Sequence, residues 1–263
     1  MKKKIFIIYI FIFISCSKKE TEYYPNGNLF KSYELKNNKF NGIYKEFYQN
    51  GNIKIIQKYN EGILIDSSIY YNQNKQIIVI DKYLNNDYIY SKIFKNNVLE
   101  YEGRNYLNQK RGKWKYYSKN GKLKNIFEYI DFCREQYTNQ GWVFNEQGEL
   151  IKEKGNYYSL SIPKKNYNVN EVISLKITYK PFFINSNFFI CLSPKIDKNF
   201  CNLNTTKLDT IYSNNKIFDI NLTFSNKGNK NLRGFIREYY YKETDTINPI
   251  ERFVYLDIPI KVE

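Results

Sequence analysis

Apolar and polar residues alternate along short stretches of this chain with a period of two. In the segment GIYKEFY, Ile43 and Phe47 fall on one side of an extended chain, and Tyr44, Glu46 and Tyr48 fall on the other. That period is the period of a β-strand. Residues that favour strands dominate, and Asn or Gly interrupts each stretch before three helical turns could form. The pattern therefore predicts an all-β protein.

A turn signal recurs between about residue 23 and residue 150. It is an Asn-Gly pair or a relaxed version of it, with an aliphatic residue two positions later and a large apolar residue four positions earlier. The second residues of these pairs, at spacings of 24, 24, 22, 24 and 27, are Gly27, Gly51, Lys75, Asn97, Gly121 and Gly148. Asn and Gly both tolerate the positive φ of a two-residue type I′ turn. We expect an array of hairpins joined by looser links and stacked into a twisted antiparallel ribbon.

Two of these units resemble a known repeat. Residues 42–51 read GIYKEFYQNG, and residues 112–121 read GKWKYYSKNG. They are similar to the MORN repeat variant, and the resemblance covers residues 20 to about 150. Asp66 and Tyr88 stand where the better units have glycine. The resemblance implies a β-hairpin array used for contacts; bacterial chains with this variant are often described as antitoxin-like, which implies protein binding. It implies no catalytic residues.

The amino terminus is typical of an export signal. Lys2, Lys3 and Lys4 precede ten unbroken apolar residues at 5–14, too short a stretch to span a bilayer. The following FISC, which ends at Cys16, resembles the lipobox of bacterial lipoproteins, with Phe13 where Leu is usual. That resemblance implies cleavage after residue 15 and a diacylglycerol on Cys16. The alternative is an ordinary secretory signal in which Cys16 has no role.

The pattern changes near residue 156. Seven alternating segments separated by turn-forming residues follow, at 157–162, 171–179, 187–192, 209–212, 217–224, 234–241 and 252–262. This number of short strands predicts a β-sandwich of immunoglobulin-like size. We therefore expect a signal at 1–15, a tether at 16–22, hairpin repeats at 23–155 and a β-sandwich at 156–263.

The amino-acid composition excludes some kinds of catalytic and metal-binding site. Histidine is absent, which excludes Ser-His-Asp and Cys-His catalysis and removes a common metal ligand. Cys191 and Cys201 lie ten positions apart, and in an oxidising envelope this spacing predicts a disulfide, with Cys133 left as a free core residue. We expect no cofactor and no bound metal.

Charge bears on the partner. The chain has 41 basic and 26 acidic residues, so its net charge is +15. The excess is spread evenly, so it favours an anionic partner such as phosphate head groups, an acidic polysaccharide or an acidic protein, without a nucleic-acid stripe.

Three functions compete. We expect a lipid-anchored binding or scaffold lipoprotein in the cell envelope, at the outer membrane rather than the inner one, and not an enzyme. An immunity or antitoxin-like protein is the first alternative. A carboxylate-dependent hydrolase is the second, for which Glu100 and Glu102 share one strand face. For the hairpin array we expect the face of Phe47 and Tyr117 to be covered. The candidate contact residues are then Tyr44, Tyr48, Trp114 and Tyr116.

Overall fold

The structure is a computed structural model that describes residues 17–85, 87–213 and 215–263. The expected signal at 1–15 and the lipidation site Cys16 lie outside the described residues. Within the described ranges the chain is all-β, as predicted, with one short 3₁₀ turn at Leu203–Thr205. No helix in these ranges is long and apolar enough to cross a membrane.

The repeat region forms one antiparallel sheet of twelve strands. Its strands follow one another in chain order, except that the two-residue β3 pairs only with β2. They are β1 (Lys18–Tyr23), β2 (Leu29–Lys36), β3 (Lys39–Phe40), β4 (Gly42–Phe47), β5 (Ile53–Asn60), β6 (Ile63–Tyr71), β7 (Ile77–Tyr83), β8 (Tyr88–Lys95), β9 (Val98–Tyr106), β10 (Gln109–Tyr117), β11 (Leu123–Phe132) and β12 (Glu135–Val143). β1 includes most of the predicted tether, which is therefore a paired edge strand. Its charged residues suit an edge, because charge discourages pairing with another chain.

The turn type predicted for the Asn-Gly sites is wrong. At the first site Gly27 has a φ of 84°, whereas Asn26 keeps an ordinary negative φ. The Gly27 N–H donates to the Tyr24 carbonyl at 2.9 Å, and the Tyr24 N–H donates to the Asn28 carbonyl at 2.8 Å. This is a three-residue loop, in which a type I turn is followed by a left-handed glycine. The same pair of bonds closes the turns at Gly51 and at three further anchors.

Type I′ turns occur instead at the links that were predicted to be loose. Both central residues have positive φ at the two-residue connections 37–38, 61–62, 107–108 and 133–134. The anchor at residues 96–97 is also of this kind, with φ values of 51° and 64°. Its loop is one residue shorter than those at Asn-Gly sites, which fits the irregular spacing of 22 residues there.

Successive turns bond to one another with the period of the sequence repeat. The Tyr24 hydroxyl donates to the Phe47 carbonyl at 2.7 Å, and 24 residues later the Tyr48 hydroxyl donates to the Tyr71 carbonyl at 2.7 Å. The side-chain amide of Asn28 likewise donates to the carbonyl of Gln49 at 2.7 Å. These bonds satisfy backbone acceptors that the turns leave open.

The carboxyl-terminal strands form two further sheets. The three-stranded sheet contains β13 (Tyr157–Ser161), β15 (Ile173–Lys180) and β18 (Ile217–Leu222). The five-stranded sheet contains β14 (Asn166–Tyr167), β16 (Asn187–Ser193), β17 (Asp209–Tyr212), β19 (Gly228–Lys242) and β20 (Asp245–Val262). All their pairings are antiparallel except that of β14 with β20.

Both carboxyl-terminal sheets contribute to one hydrophobic core. Ile173, Leu175 and Ile177 of β15 are buried while their neighbours are exposed, as the alternation predicted. They join buried residues of β16, β18, β19 and β20, among them Ile190 and Phe218. This core holds most of the large buried apolar side chains of the described residues.

The chain divides into two compact units between Asn97 and Val98. The second unit thus contains β9 to β12 together with both carboxyl-terminal sheets. The change of sheet still falls close to the predicted position, because β12 ends at Val143 and β13 begins at Tyr157. Compactness and sheet membership therefore divide this chain at different places.

Candidate binding surface

The first unit is a single layer of sheet. Among its described residues only Ser68 and Ser91 are buried, whereas the large apolar and aromatic side chains on both faces stay half-buried or exposed. A sheet normally buries one face against a second layer. Large half-exposed apolar surface of this kind is typical of interaction sites.

Four rings on β2 to β5 pack into what we call the aromatic patch. The ring centroids of Tyr33 and Tyr44 lie 6.2 Å apart with their planes nearly parallel. Phe40 meets Tyr44 edge-on at 5.7 Å and contacts Tyr59 at 5.2 Å. All four are half-buried, so each ring is held by its neighbours and still presents part of its surface to solvent. Tyr44, a candidate contact residue, is therefore partly open to solvent and packed among the other three rings.

Carboxylates border the aromatic patch. The Glu22 carboxylate raises the pKa of Tyr33 through a hydrogen bond. Burial, with a smaller effect from Glu46, raises the pKa of Tyr44 to about 12. Glu46 also forms an ion pair with Lys54 at 2.6 Å. Although the whole chain is basic, the hydroxyls of this patch therefore face acceptors. Flat rings beside carboxylate acceptors suit a ligand that is rich in hydroxyl or amide donors.

Trp114 is not a contact residue, contrary to the sequence prediction. It is only 1% exposed, and its indole lies over Gly103, where a Cβ would overlap the ring. Its Nε1–H donates to the Arg104 carbonyl at 2.9 Å. The sequence analysis expected the face that carries Tyr117 to be covered, but Trp114 is buried on the opposite face. Alternation along one strand does not show that a glycine on the next strand leaves space for a large ring.

Lys110 fills an aromatic cage that the sequence analysis missed. Its ammonium lies 4.7 Å from the Trp114 ring centroid and between 5.1 and 5.4 Å from those of Tyr101, Tyr116 and Tyr129. It also donates to the Tyr116 hydroxyl at 2.8 Å. Such cation–π contacts hold a cation strongly where rings exclude water. The ring and hydroxyl of Tyr116, a candidate contact residue, are therefore engaged by Lys110 of the same chain.

Tyr48, another candidate contact, and Glu102, from the hydrolase alternative, both make internal hydrogen bonds. The Tyr48 hydroxyl donates to the Tyr71 carbonyl, one of the hydrogen bonds between successive turns. Glu102 is buried and accepts a hydrogen bond of 2.6 Å from the Tyr117 hydroxyl, while Glu100 is exposed on the same strand. The two carboxyl groups of the hydrolase alternative thus lie in unlike surroundings. No group of three or more potential metal ligands occurs among the described residues.

The disulfide prediction is wrong. Cys201 bonds to Cys133, with Cα atoms 4.7 Å apart, and Cys191 is a buried free thiol. Cys133 occupies the type I′ turn after β11, and its N–H donates to the Asn199 carbonyl at 2.7 Å. This contact brings the turn beside the loop that carries Cys201. Spacing in the chain favoured the local pair, whereas the fold brings the distant pair together.

A cavity lies beside this disulfide. The cavity measures about 440 Å³, and rings and aliphatic side chains form most of its wall. The rings belong to Phe132, Phe200, Phe235, Phe253 and Tyr255. It is an apolar space within the second unit, without the convergent polar groups that fix a ligand's orientation.

Comparison with known proteins adds no assignment. No protein-family model matches the chain, and no curated protein matches its sequence.

Proposed function

We propose that this protein is a binding or scaffold lipoprotein of the cell envelope, anchored through an acylated Cys16. The single-layer sheet carries the proposal, because it leaves aromatic side chains half-exposed that an ordinary core would cover. In this proposal the hairpins are MORN-variant repeats, and the aromatic patch contacts a protein or polysaccharide partner. The carboxyl-terminal sheets act as an Ig-like spacer or a second recognition module. The lipid bilayer is the partner of the anchor.

The contact surface can be tested with a patch variant. The bait is the mature chain from residue 16 with Cys16→Ser, and its matched variant carries Tyr33→Ser, Phe40→Ser and Tyr44→Ser. A control bait carries Tyr212→Ser and Tyr241→Ser, which remove exposed rings from the carboxyl-terminal sheets. We expect envelope extract to yield a protein or polysaccharide that the control retains and the patch variant loses. Equal recovery by all three baits, or no specific recovery, would contradict the proposed surface.

The anchor needs a separate measurement. Metabolic labelling with a fatty-acid analogue should mark the wild-type protein and leave Cys16→Ser unmarked. Mass spectrometry of the mature amino terminus should then find the lipid on Cys16. An unmodified terminus would remove the lipoprotein part of the proposal and leave the binding part to the bait experiment.

A further inference from the structure

A short loop between β15 and β16 holds two large apolar side chains out in solvent. Phe182 is 60% exposed and Ile184 is 89% exposed. The loop is fixed from inside by Glu238, whose side chain is fully buried. Its carboxylate accepts hydrogen bonds from the N–H groups of Phe182 and Phe183, at 2.9 and 2.8 Å, and from the Ser186 hydroxyl at 2.6 Å. The apolar tip is thus presented by a buried ionic anchor.

Cations surround the base of this loop. A cavity of about 290 Å³ under it is lined by Lys180 and Lys216 together with Ser186 and Asn185. The Arg252 guanidinium lies 5.3 Å from the centroid of the Phe182 ring. Lys180 and Lys216 line the cavity, whereas the single carboxylate of Glu238 is turned inward toward its donors, so the net charge around the cavity is positive.

We propose that this loop docks on the surface of an anionic phospholipid bilayer. Phe182 and Ile184 enter the region below the head groups, and Lys180 and Lys216 bind a lipid phosphate in the cavity. The loop matches the layers of the lipid surface: its apolar tip would meet the acyl chains, and the cations at its base would meet the charged phosphates. The rigid anchor lowers the entropic cost of insertion, because the tip is ordered before it binds. The proposal does not depend on acylation of Cys16 or on the aromatic patch.

Vesicle cosedimentation tests the proposal without the lipid anchor. The protein is the mature chain with Cys16→Ser, and the vesicles contain phosphatidylcholine alone or with phosphatidylglycerol. We expect binding to the anionic vesicles that weakens with added salt. The double variant Phe182→Ser with Ile184→Ser should lose at least about tenfold in vesicle affinity, since it removes the inserted apolar area. Lys180→Gln with Lys216→Gln should lose the preference for anionic vesicles.

Matched controls separate the loop from general stickiness. Ile63→Ser removes a side chain of similar exposure, 66%, from the hairpin sheet and should leave vesicle binding unchanged. The aromatic-patch variant should also bind as the parent does, which keeps this test independent of the proposed function. Circular dichroism of each variant checks that the fold is retained.

A reporter tests insertion directly. The emission of tryptophan in Ile184→Trp, after subtraction of the parent spectrum, should shift to the blue on anionic vesicles, and that of Ile63→Trp should not. Absence of vesicle binding, or binding that survives both double variants, would overturn the proposal. So would binding of inorganic phosphate that depends on the two lysines when vesicles do not bind, because the cavity would then serve a soluble anion.

Discussion

At the scale of single residues, the neighbour across the strand decides where a ring lies. Trp114 was expected on the exposed face because the face of Tyr117 was expected to be covered, yet it is buried, and Gly103 on the adjacent strand leaves room for its indole. Its neighbours in the cage then hold the ammonium of Lys110. A glycine that carries no chemistry of its own therefore positions this whole group.

Gly103→Ala should destabilise the protein by about 1 to 3 kcal/mol, because the new methyl group overlaps the Trp114 ring. Urea unfolding followed by circular dichroism measures the free energy of unfolding. The control is the same substitution in a Trp114→Leu background, where the smaller side chain should relieve most of the effect. Equal losses in the two backgrounds would show that the alanine acts elsewhere.

Tyr129 makes the cage sensitive to alkaline pH. Burial, together with the hydrogen bond to the Tyr116 hydroxyl, raises the pKa of Tyr129 to about 12. An unfolded tyrosine ionises near pH 10. Because the folded protein holds the proton longer, the contribution to stability is complete below about pH 10 and is lost as the pH rises to about 12.

An absorbance titration of tyrosinate should therefore show a late phase near pH 12, and Tyr129→Phe should reduce it. Stability measured between about pH 10 and pH 12 should also fall less steeply in this variant. Tyr212→Phe removes a tyrosine that is 77% exposed and should leave the late phase as it is. If Tyr129→Phe leaves the late phase unchanged, that phase belongs to other tyrosines.

At the scale of elements, the turns determine the hairpin register. Two-residue type I′ turns require positive φ at both positions, which Asn accepts at 37–38 and at 96–97. Leu107 adopts the same conformation, with a φ of 46° and 68% exposure, although its Cβ makes this region unfavourable. This hairpin is formed by pairing of its strands in spite of its turn sequence.

Leu107→Asn should raise the free energy of unfolding by about 0.5 to 1 kcal/mol, since it relieves this backbone strain. Thermal and urea unfolding measure the gain. Leu84→Asn replaces another exposed leucine, 46% exposed, without a positive φ, and should give no such gain. If both substitutions act alike, the benefit comes from removal of exposed apolar surface.

The sequence predicts periodic features well and pairings across strands poorly. The alternation at Ile173, Leu175 and Ile177 correctly predicts a half-buried strand, and the period near 24 residues correctly predicts repeated antiparallel hairpins. The burial of Trp114 and the bond from Cys133 to Cys201 depend on which strands and loops meet. Local patterns carry no information on such distant contacts. The same holds for the aromatic patch, whose four rings come from four strands.

At the scale of the whole molecule, a covalent bond joins distant segments of the second unit. Cys133 and Cys201 are 68 residues apart in sequence. Closing a loop of that length restricts the unfolded chain and is worth about 4 kcal/mol in the loop-entropy model. The bond thereby ties the hairpin of β11 and β12 to the loop that follows β16.

Cys133→Ser with Cys201→Ser should lower the free energy of unfolding by about 2 to 4 kcal/mol. Peptide mapping without reduction should find the pair 133–201, and Cys191 should react with a thiol reagent only after unfolding, because it is buried. The control Cys191→Ala should retain the mapped disulfide. A peptide that links Cys191 to Cys201 would restore the pairing favoured by sequence spacing.

Core residues are distributed unevenly over the chain, which predicts uneven stability. Large buried side chains begin at Trp114 and concentrate in the carboxyl-terminal sheets, whereas the apolar residues in the described part of the first unit are half-buried or exposed. Local opening is easier where few apolar contacts are lost. In native-state hydrogen exchange we expect the amides of β15, β16 and β19 to be protected about tenfold or more above those of β4, β5 and β6. Uniform protection along the chain would mean that the single-layer sheet is stabilised as strongly as a buried core, and the half-exposed rings of the aromatic patch would then need no partner to explain them.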